Sequence, residues 1–201
     1  MPRTKSQNDE IKKERKEKIL LHALRLFAGN GLAATKISDI SQAADISQGL
    51  VYHYFSSKDD IFVEIIKTAF MRLNLACRLL EEMDMPADEK IKFALFHMFE
   101  NLQENKDHGK YHLLIAQAMA SNHTPLAAQK IMQKEYLKPY KVLSRIIAKG
   151  QKEGTIRTGN PDELALMFWT CIKGLALHQA VHAKDFKLPD PHIFLAMFDP
   201  I

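Results

Sequence analysis

Between Ser47 and Asp60 the chain reads SQGLVYHYFSSKDD. This stretch places Tyr52, His53 and Tyr54 on successive positions, three residues after Gly49 and just before Lys58. Tyrosine and histidine tips can donate to phosphate oxygens or reach base edges, and a lysine supplies a cation for a phosphate backbone. Ser47 is a good N-cap, which puts the backbone N–H groups of Gln48 and Gly49 at a helix start. Unpaired donors and the positive end of the helix dipole favour an anion there. Gly49 has no side chain to hold that backbone away from a duplex. Taken singly, each residue has an ordinary alternative: His53 as a solvated surface group, Tyr54 and Phe55 as core, and Gly49 as a helix-start residue whose cost of about 1 kcal/mol is absorbed by packing.

Other reactive side chains form no comparable group. His178 and His182 stand four apart like paired metal ligands, but no third ligand lies nearby in sequence and no Glu-x-x-His occurs, so no metal is expected. Cys77 and Cys171 are far apart in apolar, periodic segments, as buried thiols of a reducing compartment would be. There is no nucleophile elbow, phosphate-binding glycine loop or carboxylate-histidine iron motif, so neither an enzyme nor a cofactor is expected. The net charge of +4 allows an anionic partner without requiring one. The charge is concentrated early, where Arg3, Lys5, Lys12, Lys13, Arg15, Lys16 and Lys18 outnumber Asp9, Glu10, Glu14 and Glu17. Such a run reads as a basic arm beside DNA or as a solvated helix face with pairs such as Asp9 with Lys13 and Glu14 with Lys18.

Helical periodicity runs through the chain, and no alternating strand segment competes. A first helix is expected from Asp9 to Asn30, ended at Gly31 by a left-handed residue. A short second one covers Ile37 to Ala44, with the Thr35 hydroxyl near its start. After Asp45, Ile46 and Ser47, a third covers Gln48 to Phe55 and turns Val51 and Phe55 inward. Ser57 and Asp60 open a long helix that stops before Pro86. Further helices are expected at Asp88 to Glu104, Gly109 to Ser121, Pro125 to Glu153, Pro161 to His182 and Asp190 to Met197, with Pro139 kinking the third of these or shifting a boundary. The fold class is all-α: a three-helix N-terminal helix-turn-helix domain, residues 1–57, followed by a larger helical ligand-binding and dimerisation bundle, residues 58–201.

The segment from about Glu17 to Ala69 resembles the N-terminal domain of TetR-family transcriptional regulators, carried by Ile19 to Phe27 and by GNGLAATKISDISQAADISQGLVYHYFSSKDDIF from Gly29 to Phe62. The resemblance implies a sequence-specific regulator, most simply a repressor, that binds a palindromic double-stranded DNA operator as a homodimer and leaves it when a small-molecule inducer binds. By the same resemblance Thr35, Lys36 and Ser38 lie at the phosphate backbone, and Ser47, Gln48, Gly49, Leu50, Tyr52, His53, Tyr54 and Lys58 fall on positions that contact DNA. The chain departs from the family pattern at three positions. Asp45 replaces a common turn glycine, and aspartate tolerates the left-handed conformation better than most residues. Gln48 stands where lysine is frequent and could bond adenine bidentately, and Leu50 could meet a thymine methyl or merely pack.

Past residue 70 no motif states a chemistry. The resemblance implies a cavity for an inducer and a dimer through the last two long helices. Candidate pocket residues are Phe96, His97, Phe99, Tyr111, Ile115, Met119, Tyr136, Phe168, Trp169 and His178, aromatic and adaptable side chains that are also ordinary core residues. The segment around Leu164, Ala165, Met167, Phe168, Trp169, Ile172 and Leu175 is apolar over most of its circumference, as a helix with a core on one side and a partner on the other would be. With Ile193, Phe194 and Met197 it forms the expected interface. No apolar stretch approaching about 18 residues and no signal peptide is read, so the protein is expected to be cytoplasmic and without a membrane partner.

Overall fold

A computed structural model describes residues 5–182 and 186–200, without the side chains of 5, 6 and 8. Arg3 of the basic run lies outside the described residues, as does the Lys5 side chain. Among the described residues all regular structure is helical. The order is α1 (Lys5–Ala34), α2 (Ile37–Ala43), α3 (Gln48–Tyr54), α4 (Lys58–Glu82), α5 (Ala87–Glu104), α6 (His108–Ala120), α7 (Leu126–Glu135), α8 (Lys138–Glu153), α9 (Pro161–His182) and α10 (Pro191–Leu195).

Local chemistry explains the N-terminal boundaries. Gly31 takes φ 81° and interrupts the helical path of α1 before Ala34, a conformation that costs glycine little. The turn between α2 and α3 is a Schellman closure: Asp45 N–H donates to Gln42 O at 3.1 Å and Ile46 N–H to Ser41 O at 3.0 Å, with Asp45 in the left-handed region at φ 51°. Ser47 Oγ accepts from Leu50 N–H at 3.2 Å and opens α3, and Ser57 Oγ accepts from Asp60 N–H at 3.1 Å and opens α4. The start of α2 differs from expectation. The Lys36 N–H donates to Asp39 Oδ2 at 2.8 Å, whereas the Thr35 hydroxyl points back and donates to Gly31 O at 2.8 Å.

Two apolar clusters hold the chain together, and α4 enters both. Its N-terminal half gives Ile61, Phe62, Ile65, Ile66 and Phe70 to a cluster with Ile19, Leu24, Phe27, Ile40 and Val51. Leu114 and Ala118 of α6 and Ala128 and Met132 of α7 join that same cluster. The C-terminal half of α4 gives Cys77 and Leu80 to a second cluster, built on Leu95 and Phe99 of α5, Leu143 and Ile147 of α8, and Phe168, Trp169 and Ile172 of α9. Burial pushes the Cys77 thiol up to about 12, so it is unreactive; Cys171 is only partly buried.

Two expectations change. The single helix over Pro125 to Glu153 is two helices that break at Tyr136 and Leu137, and Pro139 sits in the first turn of α8, where its missing N–H costs nothing. An apolar window is also longer than expected: α9 contains 18 residues of mean hydropathy 1.3, of which 33% are buried inside the chain. Its inner face is core, where Ala165, Phe168, Trp169, Ile172 and Ala176 pack.

The contact between α6 and α9 is tight at Gly109. A Cβ there would collide with the Ala176 carbonyl oxygen and lie 2.7 Å from Gln179 Oε1. Gly109→Ala is therefore expected to destabilise the protein by about 1–3 kcal/mol in urea unfolding, because rigid backbone must move. Gly29→Ala, with nothing within 4 Å of the new Cβ inside α1, serves as the control and should be unchanged or more stable by up to about 1 kcal/mol.

Candidate functional site

The α2–α3 hairpin divides its residues into two sides. Ile40, Ala44 and Val51 are fully buried and Phe55 nearly so, which orients α3 on the small core. The opposite side carries Ser47, Gln48, Gly49, Tyr52 and His53, all exposed, with Tyr52 at 56%. Leu50 is half-buried, and so is Tyr54, whose ring packs against the core and meets the His53 ring edge-on at 5.3 Å. Nothing within the chain requires glycine at position 49: an added Cβ would find only Ser47 Oγ, at 4.0 Å. The Ser47 oxygen caps its own helix, which leaves its hydroxyl proton free to donate outward. Lys36 is exposed and Ser38 half-buried at the start of α2.

Two residues expected on this outer surface are turned inward. Thr35 is fully buried, and its hydroxyl is engaged by Gly31 O. The Lys58 ammonium donates to the carbonyls of Leu32, Ala33 and Thr35 at 2.8, 2.9 and 2.9 Å, so all its protons are used. Leu32 and Ala33 stand in the last turn of α1, which ends at Ala34, and Thr35 follows it, so these oxygens have no helical donors ahead of them, and a cation suits the negative end of a helix. The side-chain donors of Thr35 and Lys58, expected at the phosphate backbone, are thus engaged within the chain.

The basic run on α1 is only partly committed to the fold. Lys16 pairs with Glu64 at 2.6 Å, and its ammonium lies 5.7 Å from the Phe55 ring centroid. Lys12, Lys13, Arg15 and Lys18 are exposed. Farther along α1, Arg25 holds Asp107, just before α6, through two hydrogen bonds of 3.0 and 2.6 Å. The Arg25 guanidinium, against the opposing effect of burial and helped by Lys110, keeps the Asp107 carboxyl down at about 2. Gln117 of α6 adds a bond to Ala28 O at 3.1 Å. Neither tie has a sequence signal, since 82 and 89 residues separate the partners.

The expected pocket residues do not converge. Phe96, His97 and Phe99 line an open groove of about 830 Å³ between α5, the end of α9 and residues 186–191. His97, Phe168 and Trp169 line a separate apolar cavity of about 80 Å³ between α4, α5, α8 and α9. Tyr111, Ile115 and Tyr136 instead pack on the N-terminal cluster, Met119 is 52% exposed, and His178 is exposed with its ring 4.5 Å from that of His182. Among the described residues no group of His, Cys, Asp and Glu could hold a metal ion. The expected interface residues divide by burial. Phe168, Ile172 and Phe194 are buried within their own chain and Leu164, Leu175 and Met197 partly so, which leaves Ile193, with Leu166, Met167 and Val181 of α9, as the exposed apolar residues.

Comparison with known proteins bears on this geometry. Residues 19–65 match the family model described as bacterial regulatory proteins, tetR family. An uncharacterized HTH-type transcriptional regulator of Bacillus subtilis, YhgD, is 29% identical over 161 residues, which cover 77% of this chain and 78% of that one. The HTH-type transcriptional repressor KstR2 of Rhodococcus jostii is 43% identical over 56 residues, 28% of each chain. Among solved structures, a putative transcriptional regulator from Saccharomonospora viridis in complex with choline superposes with a TM-score of 0.69 at 22% identity, covering 92% of this chain and 94% of that one.

Lys58→Met is expected to leave three carbonyls without a donor and to cost about 1–3 kcal/mol in urea unfolding, with faster hydrogen exchange over residues 31–36. The Arg25–Asp107 tie should show in the pH dependence of stability. Because the folded carboxyl titrates below the unfolded one, its contribution of about 1–2 kcal/mol is present above pH 4–5 and is lost as pH falls toward 2. The gap in urea midpoint between the wild type and Arg25→Gln should therefore be full at pH 7 and close near pH 2.

Proposed function

Because the chain belongs to the tetR family of bacterial regulatory proteins and is a DNA-binding transcriptional regulator, we propose that it is a cytoplasmic repressor. In this reading it grips a palindromic operator as a homodimer and releases it when a small molecule binds the helical bundle. Residues 1–57 act as the reading head and residues 58–201 as the ligand-binding and dimerisation part. The observation that carries the reading is the polar outer side of α3, where Gln48, Gly49, Tyr52 and His53 stand exposed on a helix whose other side is locked by Val51.

The roles follow from this placement. The Ser47 hydroxyl, the Gly49 N–H and the Tyr52 and His53 tips meet phosphates, with Lys36 and Ser38 doing so from α2. Gln48 reads a base edge, Leu50 offers its apolar edge to a thymine methyl, and Tyr54 braces the hairpin while its hydroxyl stays at the DNA side. Thr35 and Lys58 hold the hairpin at the angle that lets α3 enter the groove. Two reading heads must lie about one helical turn, roughly 34–36 Å, apart, which calls for a dimer. The outer side of α9, with Leu166, Met167 and Val181 exposed, and Ile193 on α10 supply the apolar surface for it. The repressor KstR2 and the choline-bound regulator are relatives in which repression and small-molecule binding are named, and they support the two halves of the reading.

A DNA site selected in vitro from random duplexes provides the test, with binding followed by fluorescence polarisation. Gln48→Ala should weaken the selected site by about 1–3 kcal/mol and relax preference at one base pair per half-site. Lys36→Ala should weaken all sequences alike and reduce the slope of affinity against salt by about one. If both variants bind the selected site as the wild type does, the assigned contact surface is wrong. Leu166→Glu combined with Val181→Glu should sediment as a monomer and lose operator affinity; a dimer that persists in this variant rules out the α9 interface.

A further inference from the structure

The open groove of about 830 Å³ between α5, the end of α9 and residues 186–191 has a volume within the roughly 300–1,000 Å³ of small-molecule sites. Phe93, Phe96 and Phe99 line it from α5, and Phe186 and Leu188 line it from the segment after α9. Phe93 and Phe96 keep 47% and 43% of their surface exposed. Exposed apolar side chains gathered in one concavity mark a binding site, as scattered ones do not. The rings are already held in place: Phe93 stacks on His97 with centroids 6.0 Å apart, and Phe96 meets the His192 ring of α10 edge-on at 5.8 Å. The buried part of the lining is Leu102 and Gln179, whose amide oxygen accepts from Gly109 N–H at 3.0 Å and whose amide nitrogen donates to Leu102 O.

Charge is unevenly placed along this groove. On α5 the lining runs from Phe93 to Gln103, about 15 Å by the helix rise, and Lys106 follows on the connection to α6. A second cation, Lys187, lines the groove from the segment after α9. Among the described residues neither ammonium is paired with a carboxylate. Glu100, the carboxylate of the lining, already meets His97 Nδ1 at 3.5 Å, and Asp107, next after Lys106, is held by Arg25 and Lys110. The lining thus sets two unpaired cations against one carboxylate that has a neighbour. A ligand ammonium would meet two like charges, and an uncharged ligand would leave both lysines to water. A ligand with an apolar body and one anionic end matches the aromatic stretch and the cations together.

We propose that this groove is the effector site of the regulator and that its ligand is an aliphatic monocarboxylate, the chain lying against Phe93, Phe96 and Phe99 and the carboxylate at Lys106, with Lys187 adding positive charge; this rests on the regulator reading given above. The length of the lining along α5 suits a chain better than a compact ring, and the open side of the groove admits it without parting the bundle. The anionic end lies beside Asp107, which Arg25 of α1 clasps at 3.0 and 2.6 Å. The ligand therefore binds next to a point where the bundle grips the first helix of the reading head.

The full-length protein is titrated by calorimetry with decanoate, decan-1-ol and decyltrimethylammonium, each below its critical micelle concentration, and binding to the selected DNA site is measured on the same samples. Decanoate should bind saturably and weaken DNA binding. Decanol should bind about tenfold more weakly than decanoate, and decyltrimethylammonium more weakly still. Lys106→Gln combined with Lys187→Gln should erase the advantage of decanoate over decanol and leave DNA binding intact but unresponsive to decanoate. Phe96→Ser should weaken decanoate and decanol alike without changing sedimentation, with circular dichroism confirming that both variants fold. The inference is overturned if decanol or decyltrimethylammonium matches decanoate, if decanoate does not bind, if it binds and leaves DNA affinity unchanged, or if the double lysine variant responds as the wild type does. It is also overturned if Phe96→Ser dissociates a dimer, which makes the groove an interface between copies. A wild type that binds no DNA site removes the regulator reading instead, and calorimetry then decides the ligand class of the groove by itself.

Discussion

One ammonium group fixes how the hairpin meets the rest of the molecule. The termination of α1 at Ala34 leaves its last carbonyls without helical donors, and those of Leu32 and Ala33 converge with that of Thr35 on Lys58, the first residue of α4. The cation sits at the negative end of one helix while its own helix begins, so charge and dipole favour the same geometry. Thr35 completes the corner by bonding Gly31 O from a fully buried position. Since α2 leaves directly from this corner, the direction of the α2–α3 hairpin relative to α4 is set by a few hydrogen bonds as well as by the apolar core beneath it.

That corner is tied to the bundle by more than α4. Leu114 and Ala118 of α6 lie in the same apolar cluster as Phe27 and Ile40, Gln117 bonds Ala28 O, and Arg25 clasps Asp107. Behind Asp107, Gln179 of α9 accepts from Gly109 N–H at 3.0 Å and donates to Leu102 O, linking α5, α6 and α9 at one buried amide. Any movement of α6 against α9 has to break these bonds or carry α1 with it. The bundle and the hairpin are thus joined by a continuous set of contacts through α6 and α1, beside the one that α4 makes by entering both apolar clusters.

The parts legible in the sequence are those governed by local chemistry. Ser47 and Ser57 cap as serines before helices do, and Asp45 takes the left-handed turn position. Apolar spacing also located α4 and α9 and the inward residues Val51 and Phe55. The placements that the sequence did not reveal fall where a residue's surroundings depend on distant chain. Lys58 looks like a surface cation until the carbonyls of residues 32–35 are brought beside it, and Tyr111 and Ile115 look like pocket residues until α6 is seen to face α1. Likewise Phe168 and Ile172 share an apolar helix with Leu166 and Met167, but only packing against α5 and α8 decides which side of α9 is inside.

The sequence by itself determined the all-helical class, the hairpin with its capping residues and the polar side of α3, because turn chemistry and a period of 3.6 act over a few residues. Only the tertiary structure decided which polar side chains remain free to act. Lys58 and Thr35 are consumed inside the fold, whereas Gln48, Tyr52 and the indole N–H of Trp169 are left with unmet hydrogen-bonding capacity. The physical reason is that a donor's availability depends on which acceptors the folded chain brings within about 3 Å of it, and most of those acceptors lie tens of residues away in sequence.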